Sequence, residues 1–268
     1  MQKLLDGRTL EDHAIDVIRQ FSRGRTYHVA YSGGKDSDTV LHLVKSAGVD
    51  FHTVYNYCPL DPPEVRSHIR EISRDPTNRF SYNMPATSLI AEARRRKIMP
   101  LRNRRWCCEV LKERPSETGE PIITGIRWEE SPRRKKRHQI EACRRINTFF
   151  VHPIIGWKYN DVWSYLHQNN IPTSSLYAEG FTRVGCVLCP MTRDTDRQIK
   201  RWPGQARIWR QISHEVWNLH GFQTFRNEDE QWEWWLDRDA HHSPDSDDCP
   251  LFDTLDTVDQ PLPLNDET

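Results

Sequence analysis

Two groups of residues in this chain have the types and spacings that chemistry requires. The first is Ser32-Gly33-Gly34-Lys35-Asp36-Ser37. Paired glycines let backbone N–H groups come close to an anion, the serines offer hydroxyl donors, and Lys35 adds a full positive charge. The second group is four cysteines, Cys107 beside Cys108 and then Cys186 and Cys189 as C-V-L-C. Thiolates so placed hold a metal ion or an iron–sulfur centre, and unligated thiols are the plain alternative. The chain has seven cysteines, an odd number that suits no disulfide framework. Cys58, Cys143 and Cys249 lack any partner spacing and read as ordinary thiols.

A phosphate-binding loop needs a strand before it and a helix after it, because the helix N-terminus adds partial positive charge. Thr26 to Tyr31 reads as that strand, and Val40, Leu41, Leu43 and Val44 as the apolar stripe of a helix ending near Gly48. A helical stripe over Leu10 to Phe21 comes earlier, and Phe51 to Tyr55 reads as a second strand. Asp61-Pro62-Pro63-Glu64 opens the next helix, with Asp61 able to cap it and Glu64 at the capping-box position. Arg79 to Tyr82 and Pro121 to Thr124 continue as strands, with helices over Leu89 to Lys97 and Cys108 to Arg114 between them. Such alternation predicts an α/β fold with parallel βαβ units and their loops on one edge. After His152-Pro153 the pattern turns helical, with Asn160 or Asp161 as a cap. Trp202, Ala206, Trp209, Ile212, Val216 and Leu219 then mark one long amphipathic helix, whose spacing puts its tryptophans in a core.

The glycine spacing excludes a Walker A loop, which has a longer run before its lysine. A plain strand-to-helix turn remains the alternative, and the accompanying serines and lysine argue against it. Asp36 either helps hold Mg²⁺ or caps the following helix, and Asp61 has the same two possible jobs. Arg127, just after a predicted strand, falls on the loop edge, where the ordinary alternative is a surface salt bridge.

Ser32 to Ser37 resembles the pyrophosphate loop of the ATP-pyrophosphatase (PP-loop) superfamily. D-P-P-E-V at 61–65, T-G-I-R-W-E-E-S-P-R-R at 124–134, H-P-I-I-G-W-K-Y-N-D-V-W at 152–163 and L-Y-A-E-G-F-T-R-V-G-C-V-L-C-P at 176–190 narrow this to the phosphoadenosine-phosphosulfate (PAPS) reductase-like branch. The resemblance implies an adenine-nucleotide α-hydrolase-like fold, with a parallel sheet of about five strands flanked by helices and a helical C-terminal part. It implies ATP on Ser32, Gly33, Gly34, Lys35, Asp36 and Ser37, with Mg²⁺. It also implies catalytic roles for Lys35, Asp61 and Arg127, with Glu130, Ser131 and Arg134 lining the site. Iron–sulfur members of the branch hold a [4Fe–4S] cluster on a C-C pair and a distant C-x-x-C, which Cys107, Cys108, Cys186 and Cys189 match. Adjacent cysteines suit a zinc knuckle less well, and zinc is the alternative. Arg104, Arg105 and Arg183 lie near these ligands in sequence and would tune an anionic cluster.

The branch offers two chemistries. Sulfonucleotide reductases use a late cysteine in an E-C-G-L-H-type setting, and here the late cysteine is Cys249 in the acidic D-D-C-P-L-F. The intact loop points instead to ATP use. The sequence is similar to the iron–sulfur ATP pyrophosphatases of DNA phosphorothioation systems and, more distantly, to tRNA thiolases. This implies adenylylation of a nucleic-acid substrate and a cysteine desulfurase or other sulfur donor as partner. A nucleotide-dependent binding module without turnover is a third possibility.

Charge bears on that substrate. Lysines and arginines number 38 and acids 38. The 8 acids of residues 241–268, a stretch without Lys or Arg, leave a body of +8, and Arg94 to Arg145 alone carries +10. Zero net charge therefore excludes no nucleic-acid partner. The expected organisation is a nucleotide-binding core over 1–155, a helical part carrying the C-x-x-C over 156–240, and a disordered acidic tail over 241–268. With no apolar run long enough to span a bilayer and no signal-peptide layout at Met1 to Leu10, the expected location is the cytoplasm.

Overall fold

The computed structural model describes residues 7–114, 119–143 and 147–237. The acidic tail at 241–268, with Cys249, lies outside the described residues. The strands are β1 (Tyr27–Tyr31), β2 (Phe51–Asn56), β3 (Phe80–Asn83), β4 (Ile122–Ile123), β5 (Ile140–Cys143) and β6 (Thr148–Val151). They form one sheet in the order β3-β2-β1-β4-β6-β5. Five strands run parallel, as expected, and β5 adds an antiparallel edge against β6. β1 lies at the centre of the sheet and is buried almost throughout, as a strand covered on both faces must be. The β5–β6 hairpin is absent from the sequence reading because β5 interrupts its apolar pattern with Glu141. That side chain is buried and pairs with Arg137.

The helices are α1 (Leu10–Ser22), α2 (Lys35–Ala47), α3 (Pro63–Ser73), α4 (Leu89–Arg96), α5 (Trp106–Leu111), α6 (Tyr159–Gln168), α7 (Thr195–Arg201), α8 (Pro203–His220) and α9 (Glu228–Leu236). α2 starts on the glycine loop itself and stops at Gly48, whose left-handed φ of 67° lets its N–H reach the Lys45 carbonyl. α5 starts two residues before the predicted Cys108, so both adjacent cysteines sit in its first turn. Asp161 is not the first cap of α6 but lies inside it, where its carboxylate takes the N–H of Lys158.

β1 leads outward to β2 and β3 on one side, and the chain then returns to β4 on the other. Loops leaving β1 and β4 therefore diverge at a topological switch point, the crevice in which open α/β sheets bind ligands. One apolar core runs from beneath the sheet into the C-terminal helices. There Trp209 and Trp235 are fully buried with ring centroids 5.0 Å apart. The Trp209 indole donates to the Val187 carbonyl and that of Trp235 to the Pro100 carbonyl. The tryptophan stripe is thus core-facing, and it anchors α8 and α9 to the chain around the cysteines. No helix among the described residues is long and apolar enough to cross a membrane.

Replacing Trp209 with alanine empties a fully buried site and removes the bond to Val187. We expect a loss of about 3–5 kcal/mol in unfolding free energy by denaturant titration. Trp209→Phe should cost distinctly less, and equal losses would mean that the indole contributes no packing of its own.

Candidate functional site

The glycine loop bridges the C-terminal end of β1 and the first turn of α2. Gly33 has a φ of +72°, and a Cβ there would meet the Ile69 side chain at 2.7 Å, so angle and space both call for glycine. The Ser37 hydroxyl receives the Gly34 N–H at 3.1 Å. The Lys35 N–H donates to the Tyr177 hydroxyl at 3.0 Å. The Lys35 ammonium lies 2.6 Å from one oxygen of Asp36, and the Arg127 Nε lies 2.6 Å from the other. Both cationic side chains are buried, at 6% and 4% exposure. Burial works against the Arg127 charge, but Asp36, Glu130 and Glu129 outweigh it and leave the guanidinium pKa raised. Arg127 is therefore no surface salt bridge.

Arg127 reaches this position from the β4 side. Its N–H donates to Glu130, and its guanidinium also meets Glu129 and the Trp157 carbonyl. Glu130 in turn pairs with Arg134, whose N–H is taken by the Ser131 hydroxyl. These three residues, expected to line the site, brace the arginine. A Cβ on Gly125 would sit 2.9 Å from the Asp36 backbone carbonyl, so the two loops touch only because this residue is glycine. Behind the loop, Asp38 is fully buried and bonded to Tyr31 and, at 3.0 Å, to the His68 ring. Burial raises its pKa.

The four cysteines share one small cavity, walled by Leu60, Leu111, Pro190 and Trp209, with Lys112 at its edge. Cys107 and Cys108 come from α5, while Cys186 and Cys189 flank a turn closed from the Cys189 N–H to the Cys186 carbonyl. That turn needs Leu188 at a φ of 52°. It is held there by the Trp209 bond to Val187 and by Gln198, which accepts the Leu188 N–H. The Cys107 thiol lowers the Cys108 pKa, helped by Arg105, Lys112 and Arg183. Cys107 is raised by its bond to Cys108 and by burial, and burial also raises Cys189. Four sulfurs in an apolar cavity beside three cations are a fitting donor set for an anionic metal–sulfur group. Of the arginines expected to tune it, Arg105 and Arg183 act on Cys108, and Lys112 joins them unannounced by sequence.

Two expectations need correction. Asp61 caps no helix, since its oxygens take the Tyr55 hydroxyl at 2.8 Å and the Lys112 ammonium at 2.9 Å. It stands with the cysteines rather than with Lys35 and Arg127, its carboxylate lying within 4.8 Å of the Cys58 and Cys186 sulfurs. Cys58 is not an ordinary thiol without partners, for its sulfur lies 3.5 Å from that of Cys186. Its position at the end of β2 was the available signal, but spacing alone gave it no partner. Cys143 is an ordinary buried thiol in β5. Tyr177 and Gly125 are further site residues; a hydroxyl accepting a loop N–H and a glycine allowing a close backbone approach leave no mark in residue spacing.

Comparison with known proteins bears on the family and the fold. Residues 26–192 match the phosphoadenosine phosphosulfate reductase domain. An adenosine 5′-phosphosulfate reductase of Geobacillus kaustophilus is 28% identical, the match covering 72% of this chain and 87% of that protein. An uncharacterised protein of Methanocaldococcus jannaschii is 31% identical over 72% of this chain, which spans only 42% of that relative's length. The phosphate complex of a PAPS reductase from Candida auris shares the fold, with a TM-score of 0.51 at 14% identity over 69% of this chain and 97% of that one.

The contact between the two loops is directly testable. Gly125→Ala should force Asp36 away from Arg127 and cost about 1–3 kcal/mol of stability, as overpacking does. Calorimetric titration with an ATP analogue should show weakened binding in the folded variant. Unchanged affinity would mean that the close approach is not part of the site.

Proposed function

The chain belongs to the phosphoadenosine phosphosulfate reductase family, and from that premise we propose that it is an ATP pyrophosphatase that adenylylates a substrate for sulfur transfer. The observation that carries this reading is the Lys35–Asp36–Arg127 cluster on an intact glycine loop at the switch point. Polyphosphate entering the crevice is met by N–H groups of the loop, by Ser32 and Ser37, and by two buried cations. As Lys35 and Arg127 turn to phosphate, Asp36 gains free oxygens for Mg²⁺. An oxygen of the substrate attacks the α-phosphorus, a new P–O bond forms, and the bond to pyrophosphate breaks. Preorganised donors on the loop stabilise the negative charge that develops on the leaving group. The terminal sulfur of a donor protein's persulfide then attacks the activated centre, and the activated oxygen departs with AMP. A thiol reductant cleaves the resulting disulfide, leaving the sulfur on the substrate and freeing the donor thiol.

Cys107, Cys108, Cys186 and Cys189 would hold a [4Fe–4S] cluster, with zinc as the alternative occupant. Such a cluster supplies electron transfer or an iron site for sulfur when bound. Asp61 and Lys112, paired at 2.9 Å, would balance charge beside it. The substrate we favour is a nucleic acid, on the strength of the basic stretch from Arg94 to Arg145. A cysteine desulfurase is the expected donor. A second reading, reduction of an activated sulfate to sulfite, is favoured by the relatives named adenosine 5′-phosphosulfate reductase.

Three measurements separate these readings. Protein purified without oxygen should be brown, and Cys107→Ser or Cys186→Ser should bleach it; a colourless zinc protein would remove the cluster. Pyrophosphate release from ATP should fall about 100-fold or more in Lys35→Ala, the scale of losing one donor to developing charge. Release that survives the substitution would take Lys35 out of the mechanism. Thiol-dependent sulfite formation from an activated sulfate, lost in Cys249→Ser, would establish the reductase reading instead.

A further inference from the structure

At the opposite end of the sheet from the glycine loop stands a second set of donors. We propose that His28, His52 and Glu120 bind a zinc-type divalent ion that staples the N-terminal edge of the sheet. His28 and His52 are register partners on the adjacent parallel strands β1 and β2, so their rings share one face. Glu120 lies just ahead of β4, which pairs with β1 through His28 and Ile122. The topology thus delivers one donor from each of three neighbouring chain segments. Their ligand atoms all lie within 4.8 Å of one another, and the His52 Nε2 is 3.4 Å from a Glu120 oxygen. The two imidazoles meet edge to face, with centroids 5.3 Å apart.

The donor chemistry fits a borderline cation. Two imidazoles and one carboxylate form an N₂O set that suits zinc, with the fourth position left to water. His28 is almost wholly buried, and burial together with His52 pushes its pKa down to about 4. It is therefore neutral, with a lone pair to give. The Glu120 oxygen facing His52 is buried and has no hydrogen-bond partner. A buried carboxylate oxygen without a donor is costly, and a cation between it and the two rings removes that cost. His52 and the Glu120 side chain are 31% and 23% exposed, which leaves an ion a way in. The site shares no residue with the loop or the cysteine cavity and stands whichever reaction the crevice performs.

Cobalt(II) is the probe, because thiolate-bound cobalt absorbs strongly in the near ultraviolet while imidazole and carboxylate ligation does not. It would be titrated into the full chain without oxygen, following visible absorption and melting temperature. His52→Ala and Glu120→Gln, both at partly exposed positions, serve as variants that fold. Beyond any thiolate-bound cobalt, the wild type should take up a further equivalent that adds only weak visible bands, and it should melt higher. Both variants should lose that uptake and that shift while keeping any thiolate absorption. Equal uptake and shift in wild type and variants, or cobalt absorbing only through thiolate, would overturn the site.

Discussion

The Asp36 carboxylate sets how the two halves of the sheet meet. It is one anion between two buried cations, Lys35 arriving from the β1 loop and Arg127 from the β4 loop. Removing one partner from such a buried pair typically costs about 3–5 kcal/mol, because the remaining charge keeps its desolvation penalty. Once the chain buries these groups, they have to be together. That requirement fixes the spacing of the crevice at the switch point, and Gly125 makes it attainable by letting the β4 loop touch the Asp36 backbone. The same arrangement holds both cations ready for an anion. Phosphate oxygens would compete with Asp36 for partners already oriented, so little reorganisation accompanies binding.

From this point the structure runs continuously to the cysteines. The segment after α6 passes over the glycine loop, where the Tyr177 hydroxyl takes the Lys35 N–H and Val184 lies close to Gly34. It continues into Cys186 and Cys189, which complete the cavity opened by α5. Leu60, at the end of the β2 loop, accepts the Val187 N–H. Asp61, next in sequence, holds Lys112 beside the sulfurs. Groups that would contact nucleotide and groups that would bind a metal–sulfur centre are thus carried on shared loops. The packing of Trp209 against Val187 fixes the position of both.

Much of this was readable from sequence where one rule governed. The βαβ order followed from alternating periodicity, and the glycine loop from its residues and context. The helix of Trp202 to Leu219 followed from its stripe, which became α8. Reading failed where tertiary contacts override local pattern. β5 and β6 are short, and Glu141 in β5 is polar by sequence but buried by its pairing with Arg137. Asp61 sits where a helix cap belongs, yet Lys112, distant in sequence, claims it. Cys58 has no spacing to any other cysteine and meets Cys186 only because β2 and the C-x-x-C turn converge. Pairings of this kind belong to the topology, and no local signal announces them.

Charge shows the same limit. The stretch from Arg94 to Arg145 looks strongly basic, but many of its cations are answered within the fold. Arg94 forms a two-pronged pair with Glu215, Arg95 and Arg96 share Glu92, and Arg134 meets Glu130. Pairs at exposed positions contribute about 0–1 kcal/mol and are easily exchanged for phosphate, so they do not oppose a nucleic-acid partner. They do weaken net charge as an argument for one. Lys35 and Arg127 are likewise answered, by Asp36 and Glu129, but they are buried, where an anion exchanging with those carboxylates is screened far less than at the surface. Under the proposed function, recognition of a substrate would rest first on a phosphate placed in the crevice and only then on the surface around it.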